Sequence, residues 1–166
     1  MTTILGIDPG KNHCDWCLYT EGQPVLDWHH GFVHTDWPLM LQSMGENTFD
    51  VVAVEGFTML PRLPSLAHQR QSEIPRIVGR IEAEAAMLKK PCLVIPVADV
   101  HRVLRIPRKL TPSGIKRARR AAVSLFCPEV AKVSPYKFRQ HQIDALAVAI
   151  TAASRLRTQG VIERAR

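Results

Sequence analysis

No apolar run in this sequence is long enough to cross a bilayer: the longest, Ala145 to Ala153, falls far short of the roughly 20 residues a spanning helix needs. A basic leader is absent too, because Met1-Thr2-Thr3 runs straight into an apolar stretch that Asp8 interrupts. The expectation is a soluble, cytoplasmic protein. A glycine-rich phosphate loop is missing, which argues against a nucleotide cofactor. Cysteine is scarce: Cys14, Cys17, Cys92 and Cys127 lack the spaced pairs of a disulfide framework. Cys14-Asp15-Trp16-Cys17 has the C-x-x-C spacing of zinc and redox sites. No second pair accompanies it, however, and residues three apart on a strand point to opposite faces. Ordinary reduced cysteines are expected. No internal repeat or low-complexity segment is present. Trp16, Trp28 and Trp37 read as packing residues, and His29, His30 and His34 show no metal-ligand spacing.

What is present suits one globular domain spanning residues 1–166, with 46% apolar residues to build its core. The net charge of +7 is unevenly divided. Residues 1–88 carry 5 basic and 11 acidic groups; residues 89–166 carry 17 basic and 4 acidic. Such asymmetry suits a polyanion held by the second half and a cation held by acids of the first. Solubility alone is the competing explanation.

Thr3 to Asp8 reads as a buried strand ended by Pro9-Gly10. His13 to Thr20 and Val25 to Val33 read as two further strands, paired antiparallel across the Glu21-Gly22-Gln23-Pro24 turn. Trp37 to Met44 suggests a short helix and Asp50 to Glu55 a short buried strand. Gly56 to Gln71, with Pro61 and Pro64, reads as a long irregular loop. Glu73 to Lys90 is an expected helix with Ile77, Ile81, Ala85 and Leu88 on one stripe. Leu93 to Val97 is a strand, and Pro112 to Phe126 a helix with Thr111 as N-cap. The last helix runs from about His141 to Arg157. This order is mixed α/β. A right-handed crossover between the Thr3 and Val51 strands places their C-terminal ends, and hence Asp8 and Glu55, side by side.

Asp8, Glu55, His141 and Asp144 stand at the ends of such elements, where the fold does not need them. Carboxylates at strand ends beside glycine turns present chemistry rather than packing, and a cluster of hard oxygen donors suits Mg²⁺ or Mn²⁺. His141 and Asp144, three apart, share one helix face, while Leu146, Ala149, Ile150 and Ala153 form the stripe that packs on the sheet. Individually each has a plainer explanation. Asp8 can initiate a turn, Glu55 can be an ordinary strand-end acid, and His141 can be a helix-start residue.

Three segments together resemble the RuvC-type Holliday-junction resolvases, within the ribonuclease-H-like fold. They are Ile4-Leu5-Gly6-Ile7-Asp8-Pro9-Gly10, Val52-Ala53-Val54-Glu55, and His141-Gln142-Ile143-Asp144-Ala145-Leu146-Ala147. The resemblance implies a mixed five-stranded sheet flanked by helices and a Mg²⁺- or Mn²⁺-dependent endonuclease. It would resolve four-way DNA junctions by paired symmetric nicks, with two ions per active site. Asp8 would bridge the ions, Glu55 and Asp144 would be further ligands, and His141 would bind metal or orient water. Two clamping ions would neutralise the charge of phosphodiester hydrolysis. Paired nicks imply two active sites and therefore a homodimer. Two alternatives stay open: a related nuclease acting on RNA or RNA–DNA hybrid, and a catalytically silent nucleic-acid-binding module.

DNA contacts are expected from the Pro-rich loop and the basic segments. Phe57 is the candidate junction wedge, nearer the glutamate than the family places it. Arg62, His68, Gln69 and Arg70 follow on the loop, and Arg76 and Arg80 on the helix after it. Arg105, Arg108 and Lys109, then Lys116, Arg117, Arg119 and Arg120, are expected to touch phosphates. A merely solvated helix face is the rival reading for the last four. Asp15 reads as a surface residue of the second strand, the alternative being a further acidic group near the site.

Overall fold

The two continuous apolar runs become the central strands of the sheet. The computed structural model of the chain describes residues 1–10, 12–24, 30–34, 48–56, 65–107, 109–132 and 139–164, the side chains at 30, 32–34, 65–72 and 161–164 excepted. β1 (Thr3–Pro9), β2 (His13–Thr20), β3 (His30–His34), β4 (Val51–Gly56) and β5 (Cys92–Pro96) form one mixed sheet in the order β3-β2-β1-β4-β5. β1 pairs antiparallel with β2 and parallel with β4, and β4 pairs parallel with β5. Since Ile7 lies opposite Val54, the next residues, Asp8 and Glu55, emerge together at the same end of the sheet. The expected Trp37–Met44 helix and residues 25–29 of the third strand lie outside the described residues.

Side chains alternate across the pleat, so each strand feeds two cores. Leu5, Ile7, Val52 and Val54 pack on one face beneath α1 (Ser65–Met87), with Val78, Ile81 and Ala85. Ile4, Val51, Ala53 and Ile95 pack on the other, beneath α2 (Val97–Val103), α3 (Pro112–Phe126), α4 (Glu129–Lys132) and α5 (Gln140–Arg164). Cys14 joins the first core and Cys17 the second, as the C-x-x-C spacing on a strand requires, and all four cysteines are free. Among the described residues, no helix is long and apolar enough to cross a membrane.

Several boundaries differ from the sequence expectation. α1 begins at Ser65, so residues 65–71 of the expected loop are helical. Pro75, which reads naturally as a first-turn proline, lies inside the helix instead. Leu66-Ala67 and Gln69-Arg70-Gln71 are good helix formers, and a proline removes only one ladder hydrogen bond. β5 ends at Pro96 rather than Val97, and α2 and α4 are short helices that periodicity cannot reveal. α5 extends beyond Arg157 and is not amphipathic in its first half. Ile143 and every residue from Ala145 to Thr151 are buried, because α5 lies between the sheet and the outer helices.

α1 closes on a left-handed residue, Lys89 at φ 55°, with the Lys90 N–H donating to the Ala85 carbonyl at 2.8 Å. That geometry normally carries glycine, since a Cβ there costs about 1 kcal/mol. Lys89 is exposed and makes no contact that the cap needs. Lys89→Gly should therefore stabilise the chain by about 0.5–1 kcal/mol, read as a higher urea midpoint with an unchanged slope. An unchanged or lower midpoint would refute this.

Gly6 does the work of positioning. A Cβ there would lie 2.2 Å from the Ala145 carbonyl oxygen and 2.8 Å from the Ala149 Cβ. The missing side chain lets α5 settle directly on β1, which brings the start of α5 over the end of β1.

Candidate metal centre

Strand parity aims the acids. Asp8 follows Ile4 and Gly6 on the α5 side of β1, Glu55 follows Val51 and Ala53 on β4, and Asp15 precedes Cys17 on β2. α5 supplies the rest from its first two turns. Its start is fixed by one half of a capping box, the Gln142 Oε1 accepting from the Arg139 N–H at 2.9 Å, and is tied to β2 by the Cys17 thiol donating to the Gln142 carbonyl at 3.2 Å. His141 and Asp144 are thereby held over β1, as their three-residue spacing suggests.

The His141 Nδ1 lies 2.8 Å from the Asp8 Oδ2. Ligand atoms of Asp8, His141 and Asp144 all lie within 4.8 Å of one another. Glu55 stands beside them without joining that trio. Two carboxylate oxygens and an imidazole nitrogen are hard-to-borderline donors that fit Mn²⁺ or Mg²⁺. The Glu55 Oε1 is buried without a hydrogen-bond partner, with the Arg119 Nη1 3.5 Å away.

Electrostatics fit this reading. Burial, then the charge of Asp8, pushes the Glu55 carboxyl up to about 7, with Asp144 adding to the rise and Arg119 opposing it. The hydrogen bond to Asp8 holds His141 above its ordinary value despite its partial burial. Burial also raises Asp15, against the pull of Arg139, His141 and His13. Crowded carboxyls that resist full ionisation characterise cation sites and catalytic sites alike.

Two residues differ from the sequence expectation. Asp15 is not on the surface: it is 1% exposed, sits opposite Asp8 across the β1–β2 ladder and has His13 Nε2 3.3 Å away. Its parity with Cys17 was the available signal. Arg119 is not on the exposed side of α3. It is 7% exposed and reaches into the centre, its Nη1 donating to the Asp144 Oδ1 at 2.7 Å and standing 3.5 Å from the Glu55 Oε1. No motif marks it; only the helix phase shared with Val123 places it inward. His101, 3.4 Å from the other arm of Arg119, was likewise missed and is held below its ordinary value by burial and then by Arg119.

The remaining expected contacts divide. Arg105, Lys109, Lys116 and Arg117 are exposed, whereas Arg120 is half-buried and donates to the Val130 carbonyl at 3.3 Å. Arg76 and Arg80 are exposed on α1, in the layer opposite α3. Phe57, Arg62 and Arg108, and the side chains of His68, Gln69 and Arg70, lie outside the described residues.

No protein-family model and no curated protein matches the sequence. Solved structures do match the fold. "T. thermophilus RuvC in complex with Holliday junction substrate" is 18% identical at TM-score 0.71, over 94% of this chain and 96% of that one. "Thermus thermophilus RuvC structure" is 20% identical at TM-score 0.71, over 95% and 96% respectively. At these identities the likeness is one of fold: this chain has the α/β, ribonuclease-H-like architecture of RuvC over nearly its whole length.

Proposed function

We propose that this chain is a divalent-metal-dependent endonuclease that resolves four-way DNA junctions by paired symmetric nicks. The observation that carries this reading is the Asp8–His141–Asp144 cluster, brought within ligand distance from two distant parts of the sequence. Its setting, a fold shared with a RuvC described with a Holliday junction substrate, supports the choice of DNA substrate.

Asp8, His141 and Asp144 would hold Mg²⁺ or Mn²⁺. When bound, such an ion neutralises charge on the phosphate and makes a bound water acidic enough to attack. The protein's own contribution is to fix the geometry. Asp8 orients the His141 ring through the 2.8 Å contact, and Arg119 and the Gln140 amide (3.1 Å) hold the Asp144 carboxylate. Glu55 stands beside the cluster at the end of β4, where burial and the charge of Asp8 hold its carboxyl up at about 7.

DNA is held by charge from the basic second half. Lys116, Arg117, Arg105 and Lys109 are exposed cations on the α2–α3 side, suited to phosphates and hence to salt-sensitive, sequence-independent affinity. Phe57 through Arg70 follow Glu55 directly and complete the proposed junction contact. Two nicks across a four-way junction need two centres, so the active form is proposed to be a two-fold homodimer. Incubating labelled four-way junction, linear duplex and RNA–DNA hybrid side by side with Mn²⁺ tests the substrate assignment. Junction cutting alone supports it; cutting of the hybrid alone would move the activity to RNA.

A further inference from the structure

The buried guanidinium of Arg119 is the feature that a two-ion centre does not explain. We infer that Arg119 occupies the place of a second cation, so that this centre takes a single divalent ion, at Asp8, His141 and Asp144. The inference rests on the proposed metal-dependent reading of that cluster and deepens it.

Geometry points this way first. An arginine serving DNA phosphates keeps its fork in water, as the neighbouring Arg117 does; Arg119 instead is 7% exposed. Its Nη1 lies between two carboxylates, 2.7 Å from Asp144 and 3.5 Å from Glu55, and its Nη2 is 3.4 Å from the His101 Nε2. Placed there, it faces Glu55, the carboxylate that the compact ligand trio leaves out. A buried charge persists only when paired, and Asp144 with Glu55 supplies the pairing.

Charge leads to the same conclusion. Even fully ionised, Asp8, Glu55 and Asp144 supply at most three negative charges, and a guanidinium remains protonated at every relevant pH. The balance left for metal is two negative charges, which one divalent ion neutralises. Adding Asp15 leaves three, still short of the four positive charges of an ion pair. The arginine is also firmly based. It lies in the middle of α3, whose first turn is closed by the Thr111 Oγ1 accepting from the Gly114 N–H at 3.2 Å and by Pro112 at the first position. Val123, one turn on, is fully buried in the core.

The test locates and counts Mn²⁺ in the full-length protein by anomalous scattering from crystals grown with the ion, with stoichiometry checked by calorimetric titration. Wild type should show one Mn²⁺, on Asp8, His141 and Asp144, with Arg119 still against Glu55. Arg119→Met should admit a second ion at Glu55, raising the count from one to two, while Arg119→Lys, which keeps the charge, should stay at one. Two ions in wild type would overturn the inference and leave the metal-dependent reading intact, as would a single ion in a folded Arg119→Met. Should Arg119→Met fail to fold, the wild-type count and a second ion in Arg119→Lys each remain able to refute it. Absence of Mn²⁺ from the Asp8 cluster in every variant would bring down the metal-dependent reading as well.

Discussion

Asp8→Asn is expected to slow junction cleavage by at least about 10³-fold while leaving junction affinity within a few-fold of wild type. Asp8 is the point at which the centre converges: it contacts His141, lies opposite Asp15 and stands beside Glu55 at the end of the parallel pair. Asparagine keeps the shape and still offers an oxygen to the His141 ring, so the fold should survive. What disappears is the anionic ligand. Metal-assisted charge stabilisation is worth several kcal/mol in such reactions, and about 4 kcal/mol corresponds to three decades of rate. On the proposed reading, affinity for the junction would depend on the exposed lysines and arginines of α3 and the α2–α3 segment, which the substitution does not touch. A gel-shift titration beside the cleavage assay separates the two effects. Equal loss of binding and cutting would mean that Asp8 is structural.

Glu55→Gln should make the metal-free protein more stable at pH 8, by up to about 3 kcal/mol, and a slower enzyme by at least about tenfold. In the fold the Glu55 carboxyl titrates near 7, against 4.5 for the free group, first because it is buried and then because Asp8 repels its charge. The folded chain therefore keeps a proton that the unfolded chain releases between about pH 4.5 and 7. Stability is highest below that window and falls as pH rises through it. A shift of this size corresponds to roughly 3 kcal/mol at 1.36 kcal/mol per unit, and Glu55 is buried enough for most of it to be felt. Glutamine copies the protonated acid and escapes the penalty. The advantage of Glu55→Gln should therefore be large at pH 8 and shrink to under about 1 kcal/mol at pH 5. Urea unfolding of both proteins in EDTA, at the two pH values, checks the sign. Equal stability at pH 8 would show that Glu55 is not strained by its neighbours. Gaining stability by disarming a site is the usual trade at catalytic centres.

Much of this centre was legible because strand chemistry is local. The runs Ile4–Ile7 and Val51–Val54 read as interior strands, and a right-handed crossover between them sets Asp8 and Glu55 side by side, as the Ile7–Val54 register has them. The alanines of α5 likewise allow a close helix–strand approach, and the structure adds Gly6, whose missing side chain lets Ala145 settle on β1. Arg119 and Asp15 were not legible in the same way. A charged residue in a basic helix or on a half-exposed strand looks like surface until a distant element is folded over it. For Arg119 that element is α5, and for Asp15 it is the junction of β1, β2 and the start of α5. α2 escaped for a different reason. Its seven residues complete barely two turns, and it opens directly from Pro96 with no side-chain cap to mark it. The early start of α1 was hidden by Pro75, whose natural place is a first turn.

The most direct test of the central claim is cleavage of a synthetic four-way junction, each strand labelled in turn, in Mg²⁺ or Mn²⁺ and in EDTA. Nicks at symmetric positions in two opposing strands, present with the ion and absent with the chelator, are the expected result. Tight junction binding with no cutting under any ion would contradict it, and would make this chain a nucleic-acid-binding module that retains the centre without its chemistry.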